Sequence, residues 1–319
     1  MLMDEPSRFE PAALKGRLLE REPMARHVSW RAGGTAARAY VPANLADLAA
    51  FLRMLPPEEP VVFVGLGSNL LVRDGGFTGT VVLMHNTQGG MRLDEDLVFA
   101  EAGVASPKVA RFAATQGFEG AEFLAGVPGT IGGALAMNAG CYGAETWEHV
   151  VRVDTIDRGG RLRARMPADF EIGYRHCALR GQAEEYFVAA WFRFRRGDGA
   201  LARARIKVLL ARRIATQPLD LPNAGSVFRN PTGNHAARLI EACGLKGYAI
   251  GGARISEKHA NFIVNPGGKA RAADIEALIE HARARVLAAH GIALTPEVRI
   301  IGEAVTGARS GERDRGSAP

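Results

Sequence analysis

The feature that most constrains the fold is a glycine-rich run at residues 122–140, E-F-L-A-G-V-P-G-T-I-G-G-A-L-A-M-N-A-G. Four of its glycines fall within eight residues, and almost nothing in the run is charged. Glycine lets a backbone approach a ligand closely, and its N–H groups can surround phosphate oxygens. Residues 134–138 then predict a short helix whose N-terminus faces an anion. The alternative is a buried Gly/Ala-rich turn between packed elements, and the spacing matches neither the usual Rossmann nor the P-loop pattern.

A second glycine loop follows a predicted buried strand. The strand covers residues 60–64 and leads directly into G-L-G-S-N-L-L-V at residues 65–72. A strand that ends in small, hydrogen-bonding residues is a common way to hold a diphosphate or a ring edge with backbone groups. Two such loops in one chain predict a long nucleotide cofactor that is held at two places.

The two loops, in this order, resemble the FAD-binding domain of the UDP-N-acetylenolpyruvoylglucosamine reductases, also called UDP-N-acetylmuramate dehydrogenases. The resemblance continues through W-R-A-G-G at residues 30–34 and through motifs farther along the chain. It implies a domain of the vanillyl-alcohol-oxidase-like type with FAD as the cofactor. The implied FAD-binding residues are Gly65, Leu66, Gly67, Ser68, Asn69, Leu70, Gly126, Val127, Pro128, Gly129, Thr130, Gly132, Gly133, Ala134 and Asn138.

The patterning divides the chain into a two-part α+β FAD-binding domain and a C-terminal α+β substrate domain. We predict FAD-binding subdomains at residues 1–90 and 91–200, the substrate domain at 201–305, and a disordered tail at 306–319. The interval between Ser226 and Glu297 is short, which favours the form of the family without an insertion in the C-terminal domain.

Several elements have clear end signals. Asn44 is predicted to cap a helix that has Asp47 at its third position, and Ser106 to cap a helix that begins at Pro107. Residues 272–290 predict an amphipathic helix. Residues 1–24 are mixed in character and are predicted to pack loosely.

Composition restricts the class of protein. With 319 residues, 47% of them hydrophobic and 23% charged, the chain has ample material for a soluble protein of several domains. It has no apolar N-terminal segment and no apolar run near the ~20 residues that span a bilayer. We therefore expect a cytoplasmic protein without a membrane partner. We also expect the protein to act as a monomer.

The cysteines, the histidines and the charge exclude other classes. Cys141, Cys177 and Cys243 lie far apart and the histidines show no ligand spacing, so we predict neither disulfides nor a metal site. The net charge of +6 is scattered among predicted strands and a helix, so we expect no nucleic-acid partner. A positive field also suits small anions such as NADPH or a UDP-sugar.

Three motifs carry a polar group that a reaction could use. Arg175 in G-Y-R-H-C could hold a carboxylate, Ser226 follows a glycine in a tight turn, and Glu297 enters the last predicted strand. Each has an ordinary alternative: a surface arginine, a serine that satisfies the backbone, and a strand-entry charge. Their order matches the catalytic arginine, serine and glutamate of the family, so the resemblance implies that Arg175, Ser226 and Glu297 are catalytic. Many relatives have serine in place of Cys177.

The resemblance also implies the reaction. NADPH would reduce FAD, which would then deliver hydride to C3 of the enolpyruvyl ether of UDP-N-acetylglucosamine, giving UDP-N-acetylmuramate for bacterial cell-wall synthesis. Arg175 and a protonated Glu297 with a raised pKa would stabilise the negative charge, and Ser226 would protonate C2. The side chains suited to bind the UDP-sugar are Tyr174, Arg229, Asn230, Lys246, His259 and Asn261. His259 could equally be an exposed loop residue, and Tyr174 a core residue.

Two alternatives stay open. A different FAD oxidase would share both glycine loops, and its flavin would bleach without any need for a UDP-sugar. A nucleotide- or RNA-binding module would be colourless and would bind RNA with a steep salt dependence.

Overall fold

The structure is a computed structural model that describes residues 14–86, 90–181 and 183–305. Helices and mostly antiparallel sheets alternate along this part of the chain, which confirms the predicted α+β class. The tail that we predict to be disordered, residues 306–319, lies outside the described residues, as does most of the N-terminal segment. None of the helices in the described ranges combines the length and apolar character that crossing a bilayer requires.

The first unit is a sheet with one covering helix. In the described part of the chain its strand order is β1-β2-β5-β3, antiparallel between β1 and β2 and parallel elsewhere. The helix forms where predicted, because the side chain of Asn44 accepts a hydrogen bond from Asp47 N at 2.9 Å. The elements are β1 (Arg17–Pro23), β2 (Thr35–Val41), α1 (Leu45–Met54), β3 (Val61–Val64), β4 (Leu70–Val72) and β5 (Phe77–Leu83).

The second unit is an antiparallel sheet with helices packed on one face. Within the described ranges its strand order is β12-β11-β15-β7-β6, and a buried apolar cluster fills the space between this sheet and the helices. The glycine-rich run crosses the helical side and enters α3. The elements are β6 (Met91–Asp94), β7 (Leu97–Glu101), α2 (Ser106–Thr115), β8 (Phe118–Glu119), α3 (Ile131–Ala136), β9 (Gly140–Cys141), β10 (Ala144–Glu145), β11 (Val150–Asp157), β12 (Leu162–Arg165), β13 (Phe170–Gly173), β14 (His176–Leu179), β15 (Glu185–Phe192), β16 (Arg195–Arg196) and α4 (Gly199–Thr216).

The C-terminal unit is built around a long helix, and several contacts join it to the first unit. Its last strand runs parallel to β4, with Ile300 opposite Leu71. Trp30 of W-R-A-G-G is fully buried and donates from Nε1 to Ile263 O at 2.7 Å. These contacts hold the C-terminal unit against the glycine loop that precedes β4. The elements are α5 (Ala236–Ala242), β17 (Ala249–Ile250), β18 (Ala253–Ile255), β19 (Ile263–Val264), α6 (Ala272–His290) and β20 (Arg299–Ile301).

The structure corrects two local predictions. Residues 17–23 do not pack loosely but form the edge strand β1. Ser106 is the first residue of α2 rather than its cap, because Ala105 holds the cap position and the Ser106 hydroxyl makes no hydrogen bond to a described residue. Helix α4 packs its buried residues Ala202 and Ile206 into the core of the second unit, and the domain boundary at residue 200 stays a prediction.

Candidate active site

Both glycine loops and all three catalytic candidates meet at one cavity of about 280 Å³, here called the central cavity. Its wall includes Arg175, Ser226 and Glu297, which come from three different parts of the fold. About half of the other lining residues belong to the two glycine loops, at residues 65–70 and 126–134. The convergence that the sequence predicts is therefore present.

The two glycine loops lie in direct contact, and glycine is required for this. A Cβ atom added to Gly65 would lie 2.2 Å from Oγ1 of Thr130. Gly67 has a φ of +59°, and a Cβ there would lie 2.1 Å from His27 O. Because real Cβ atoms do not approach other atoms so closely, side chains at these positions would push the loops apart.

The first glycine loop presents a row of unpaired backbone donors. The N–H groups of residues 66–69 have no acceptor within the described part of the chain. Consecutive free N–H groups form a concave anion site that suits a diphosphate. The loop therefore fits the diphosphate of FAD, and the apolar surface of residues 126–134 in the same cavity fits an aromatic ring.

Replacing Gly65 with alanine tests this arrangement. Its φ is not positive, so the expected effect is steric: overpacking of about 1–3 kcal/mol should weaken FAD binding roughly 10- to 100-fold. The measurement is the FAD dissociation constant. Gly267→Ala is the matched control. A Cβ added to Gly267 would have a lysine side chain as its nearest neighbour, 3.8 Å away, so there is room for it. The double variant Gly65→Ala/Thr130→Ala should recover part of the affinity, and unchanged FAD binding by Gly65→Ala would contradict the account.

Arg175 lies in the two-residue turn between β13 and β14 with a φ of +54°. A non-glycine residue in this region carries backbone strain of about 1 kcal/mol or more, which is often found at functional sites. Its guanidinium group donates to Gly140 O at 2.9 Å, and its Nε lies 3.0 Å from Oε1 of Glu297. That Nε is poorly aligned for a hydrogen bond to Glu297, but the positive charge of Arg175 still acts on the carboxyl group.

Asn138 stabilises the turn between β13 and β14 that carries Arg175. Its side-chain amide donates to Gly173 O at 3.0 Å and to Glu145 Oε2 at 2.7 Å, while its Oδ1 accepts from Trp147 N. It is buried and does not line the central cavity. Asn138 therefore supports the turn that carries Arg175, and it lies outside the wall of the central cavity.

Glu297 is a largely buried carboxyl group fixed by its backbone. Its N–H donates to Val227 O at 2.7 Å, and its carbonyl accepts from Nδ2 of Asn69 at 3.1 Å. Burial raises the pKa of Glu297, and the positive charges of Arg175 and Arg229 oppose this only in part. The sequence-based expectation of a raised pKa thus has a physical basis.

The raised pKa of Glu297 predicts how the expected reoxidation of reduced FAD by the enolpyruvyl sugar, the second half-reaction, depends on pH. If the protonated carboxyl group is the active form, the rate should be highest at low pH and fall as pH rises through the raised pKa. Glu297→Gln keeps a neutral donor, so its rate at low pH should stay within about tenfold of the native rate and show no such fall. Single-turnover rates across pH measure this, with Glu276→Gln, an ion-paired carboxylate away from the cavity, as the control. A glutamine variant that retains the native pH profile would rule out Glu297 as the titrating group.

Ser226 sits in a turn that neighbouring backbone bonds define. Gly225 before it has a φ of +72° and donates its N–H to Asn223 Oδ1 at 2.9 Å. The side-chain amide of Asn261 accepts a hydrogen bond from the backbone N–H of Phe228 and donates one to the carbonyl of Phe228. The backbone carbonyl of Asn261 accepts the N–H of Val227. The hydroxyl of Ser226 has no hydrogen-bond partner among the described residues, so it is available in the cavity.

Not every predicted residue lies at the central cavity. Among the FAD-binding candidates, Gly132 lies against Ala102, where an added Cβ would be 3.0 Å from the Ala102 Cβ, and does not line the cavity. None of the six substrate-binding candidates lines it either. Arg229 is linked to two residues of the cavity wall, since its charge acts on Glu297 and it donates to Arg175 O at 3.1 Å.

The other substrate candidates have structural partners or lie at the surface. Asn261 is buried and holds the Ser226 turn, and Asn230 accepts the N–H of Ala236 at the start of α5. Lys246 is ion-paired with Glu241 at 2.6 Å. His259 is half-buried, with its pKa lowered by burial, and Tyr174 is 48% exposed, so neither alternative of an exposed histidine or a core tyrosine holds.

Four polar or reactive side chains of the cavity wall are absent from the sequence-based set: Cys141, Arg213, Gln217 and Arg299. Arg213 lies in the last turn of α4 and Gln217 is its C-cap residue. In the sequence this turn looks like the other basic turns of the same helix. Arg299 follows Glu297 by two residues in an alternating strand, and this spacing alone could have indicated it. Among the described residues, no group of three His, Cys, Asp or Glu side chains could hold a metal ion.

Comparison with known families gives two separate matches. An FAD binding domain matches residues 36–164, and the C-terminal domain of UDP-N-acetylenolpyruvoylglucosamine reductase matches residues 217–301. The UDP-N-acetylenolpyruvoylglucosamine reductase of Thiobacillus denitrificans is 59% identical over 304 residues, which cover 91% of this chain and 94% of the relative. That of Alkalilimnicola ehrlichii is 57% identical over 306 residues, 95% of this chain and 99% of the relative.

A solved structure is similar over the same length. The crystal structure of UDP-N-acetylenolpyruvylglucosamine reductase from Thermus caldophilus has a TM-score of 0.75 and 28% identity, covering 90% of this chain and 99% of its own. Together these matches confirm the predicted combination of an FAD-binding domain with a C-terminal α+β domain.

Proposed function

Because this chain belongs to the UDP-N-acetylenolpyruvoylglucosamine reductase family, we propose that it reduces the enolpyruvyl ether of UDP-N-acetylglucosamine to UDP-N-acetylmuramate. The proposed cofactor is FAD, the proposed co-substrate is NADPH, and the product is a precursor of peptidoglycan. The observation that carries the proposal is the meeting of both glycine loops with Arg175, Ser226 and Glu297 in one cavity.

The FAD-binding role rests on the backbone of the two loops. FAD, when bound, supplies the two-electron chemistry that connects a nicotinamide to a carbon–carbon double bond. The free N–H groups of residues 66–69 would hold its diphosphate, and residues 126–134 would pack against its ring. The predicted members of both loops that line the cavity keep this proposed role.

Arg175 and Glu297 would stabilise charge on the substrate. When C3 of the enolpyruvyl group gains hydride, negative charge spreads from C2 into the carboxylate. The fixed guanidinium group of Arg175 and a neutral Glu297 can both donate to that carboxylate in a partly dehydrated cavity. Donors that are already in place stabilise such charge without reorganisation.

Ser226 would supply the proton. Its hydroxyl lies in the same cavity and has no competing partner among the described residues. A serine is a weak acid in water, so protonation of C2 depends on the strongly basic character of the charged substrate carbon. Arg229 is the sequence-based substrate candidate best placed to support this set, because its charge reaches Glu297.

We also propose that the enzyme acts as a monomer in the cytoplasm. Arg175, Ser226 and Glu297 all belong to one chain and meet in its central cavity, so the proposed catalytic set needs no residue of a second subunit. Size-exclusion chromatography with light scattering tests the first point, with the mass of one chain expected.

An anaerobic experiment tests the activity. NADPH should bleach the flavin absorbance near roughly 450 nm, and the enolpyruvyl sugar should then restore it. Recovery by air alone, with none on addition of the sugar, would favour a different FAD oxidase. A colourless protein that cannot bind FAD would remove the proposal.

A further inference from the structure

Arg229 links the three segments that carry the proposed catalytic residues. Its Nη2 donates to the carbonyl oxygen of Arg175 at 3.1 Å. Its own N–H donates to Thr295 O at 3.0 Å, two residues before Glu297. Arg229 also follows Ser226 by three residues along the chain. One residue of the C-terminal unit is therefore bonded to, or close in sequence to, each of the three segments.

The turn that carries Arg175 is stabilised by contacts from outside its own hairpin. Arg175 has a φ of +54°, a region in which glycine and asparagine are the usual residues. The backbone conformation of a residue sets the direction of its carbonyl group, so a donor bound to that oxygen stabilises the conformation. Asn138 supports the turn from the second unit through Gly173 O at 3.0 Å, and Arg229 supports it from the C-terminal unit. Loss of the Arg229 side chain would remove the hydrogen bond that comes from the C-terminal unit.

The Arg229 side chain acts on Glu297 without lining the central cavity. It is absent from the described residues that form the cavity wall. Burial raises the pKa of Glu297, and the positive charges of Arg175 and Arg229 oppose this rise. The wall also contains Arg213 and Arg299, but the charges that oppose the rise are those of Arg175 and Arg229. Arg229 can thus influence the reaction in two ways, through the Arg175 turn and through the carboxyl group of Glu297.

We propose that Arg229 is a positioning residue that fastens the Arg175 turn to the C-terminal unit and so keeps the Arg175 guanidinium group beside Glu297, where the substrate carboxylate would bind. This inference rests on the proposed function. It gives Arg229 a role exerted through two other side chains, which differs from the direct contact with the UDP-sugar that the sequence predicts. A small displacement of a fixed donor is enough to slow a reaction strongly, about 10²-fold for 1 Å.

Arg229→Met in the FAD-loaded protein tests the positioning role. The maximal rate of reoxidation by the enolpyruvyl sugar should fall about 10- to 100-fold, because the donors to the developing charge are displaced. The sugar concentration that gives half of this rate should stay within about threefold of the native value, since loss of a residue that only binds the sugar would change that concentration instead. Flavin reduction by NADPH should be close to native. The control is Arg254→Met, an exposed arginine of β18 outside the cavity wall, which should react at the native rate.

The titration of Glu297 gives a second readout that needs no sugar. Removing the charge of Arg229 should raise the pKa of Glu297 further, so the fall in the reoxidation rate should move to higher pH. The titration of the side-chain carboxyl ¹³C signal of Glu297 should move in the same direction, and Glu297→Gln identifies that signal by its loss. Arg229→Lys keeps a positive charge and a donor, so it should restore most of the rate and the native titration.

Three results would overturn the inference. One is a native maximal rate with a higher half-saturating sugar concentration, which would make Arg229 a direct contact for the sugar. Another is a slower rate, shared by Arg229→Lys, with an unmoved Glu297 titration, which would indicate general damage to the fold. The third is no change in either quantity. If the native protein fails to reduce the sugar, the proposed function fails, and an unmoved ¹³C titration in Arg229→Met then overturns this inference separately.

Discussion

Replacing Ser226 with alanine is expected to leave reduction of the flavin by NADPH intact and to slow its reoxidation by the enolpyruvyl sugar about 10²- to 10⁴-fold. This range is typical of the loss of a general acid. Only the second half-reaction needs a proton at C2 of the substrate, so only that step should respond. The measurement is a pair of anaerobic single-turnover experiments on the FAD-loaded variant.

The Ser226→Ala variant should remove the hydroxyl without disturbing the turn that carries it. The Ser226 hydroxyl has no hydrogen-bond partner among the described residues, and the turn is held by Asn223 and Asn261. Its removal should therefore leave the fold unchanged. Ser68→Ala is the matched control, because Ser68 lines the same cavity from the first glycine loop and should allow normal reoxidation once FAD is bound. Equal reoxidation rates in Ser226→Ala and the native protein would remove Ser226 from the mechanism.

Replacing Arg175 with methionine is expected to slow the same half-reaction about 10²- to 10³-fold, the usual effect of losing one fixed donor to a developing anion. Flavin reduction by NADPH should change much less, because no carboxylate of the substrate is present in that step. Arg175→Lys should recover little, since an ammonium group cannot reach Gly140 O and Glu297 together as the guanidinium fork does. Reoxidation rates measure both variants.

The neighbouring residue Arg180 provides the control. Arg180→Met lies in the same hairpin region and is exposed, without an ion pair among the described residues. Its reoxidation rate should equal that of the native protein. A similar loss in both arginine variants would point to the overall charge of the region, and not to Arg175, as the cause.

Local sequence signals predict much of this fold. The cap at Asn44 and the helix at Ala272–His290 are where the sequence places them. Both signals are local, because a capping side chain bonds within the first helical turn and an apolar stripe repeats every three to four residues. The glycine-rich composition of the two loops predicts a close approach to a cofactor, and that stays a prediction. In the structure the loops contact each other, as Gly65 shows against Thr130, and both also line the cavity.

What the sequence does not predict depends on long-range packing. Strand β1 (R-L-L-E-R-E-P) is largely charged and lies at a sheet edge, so its sequence lacks the alternation that would predict its pairing with β2. Arg213 looks like any basic residue at a helix end, and only the fold brings it beside Cys141 in the cavity. Conversely, Asn261 and Lys246 look like ligand donors in sequence, but the structure gives them turn and ion-pair partners.

The most direct test of the central claim is a crystal structure of the FAD-bound protein. We expect the FAD diphosphate on the N–H groups of residues 66–69 and the isoalloxazine ring against residues 126–134, with its N5 side open toward Ser226. A ring bound outside the central cavity, or one whose N5 side faces away from Ser226, would contradict it.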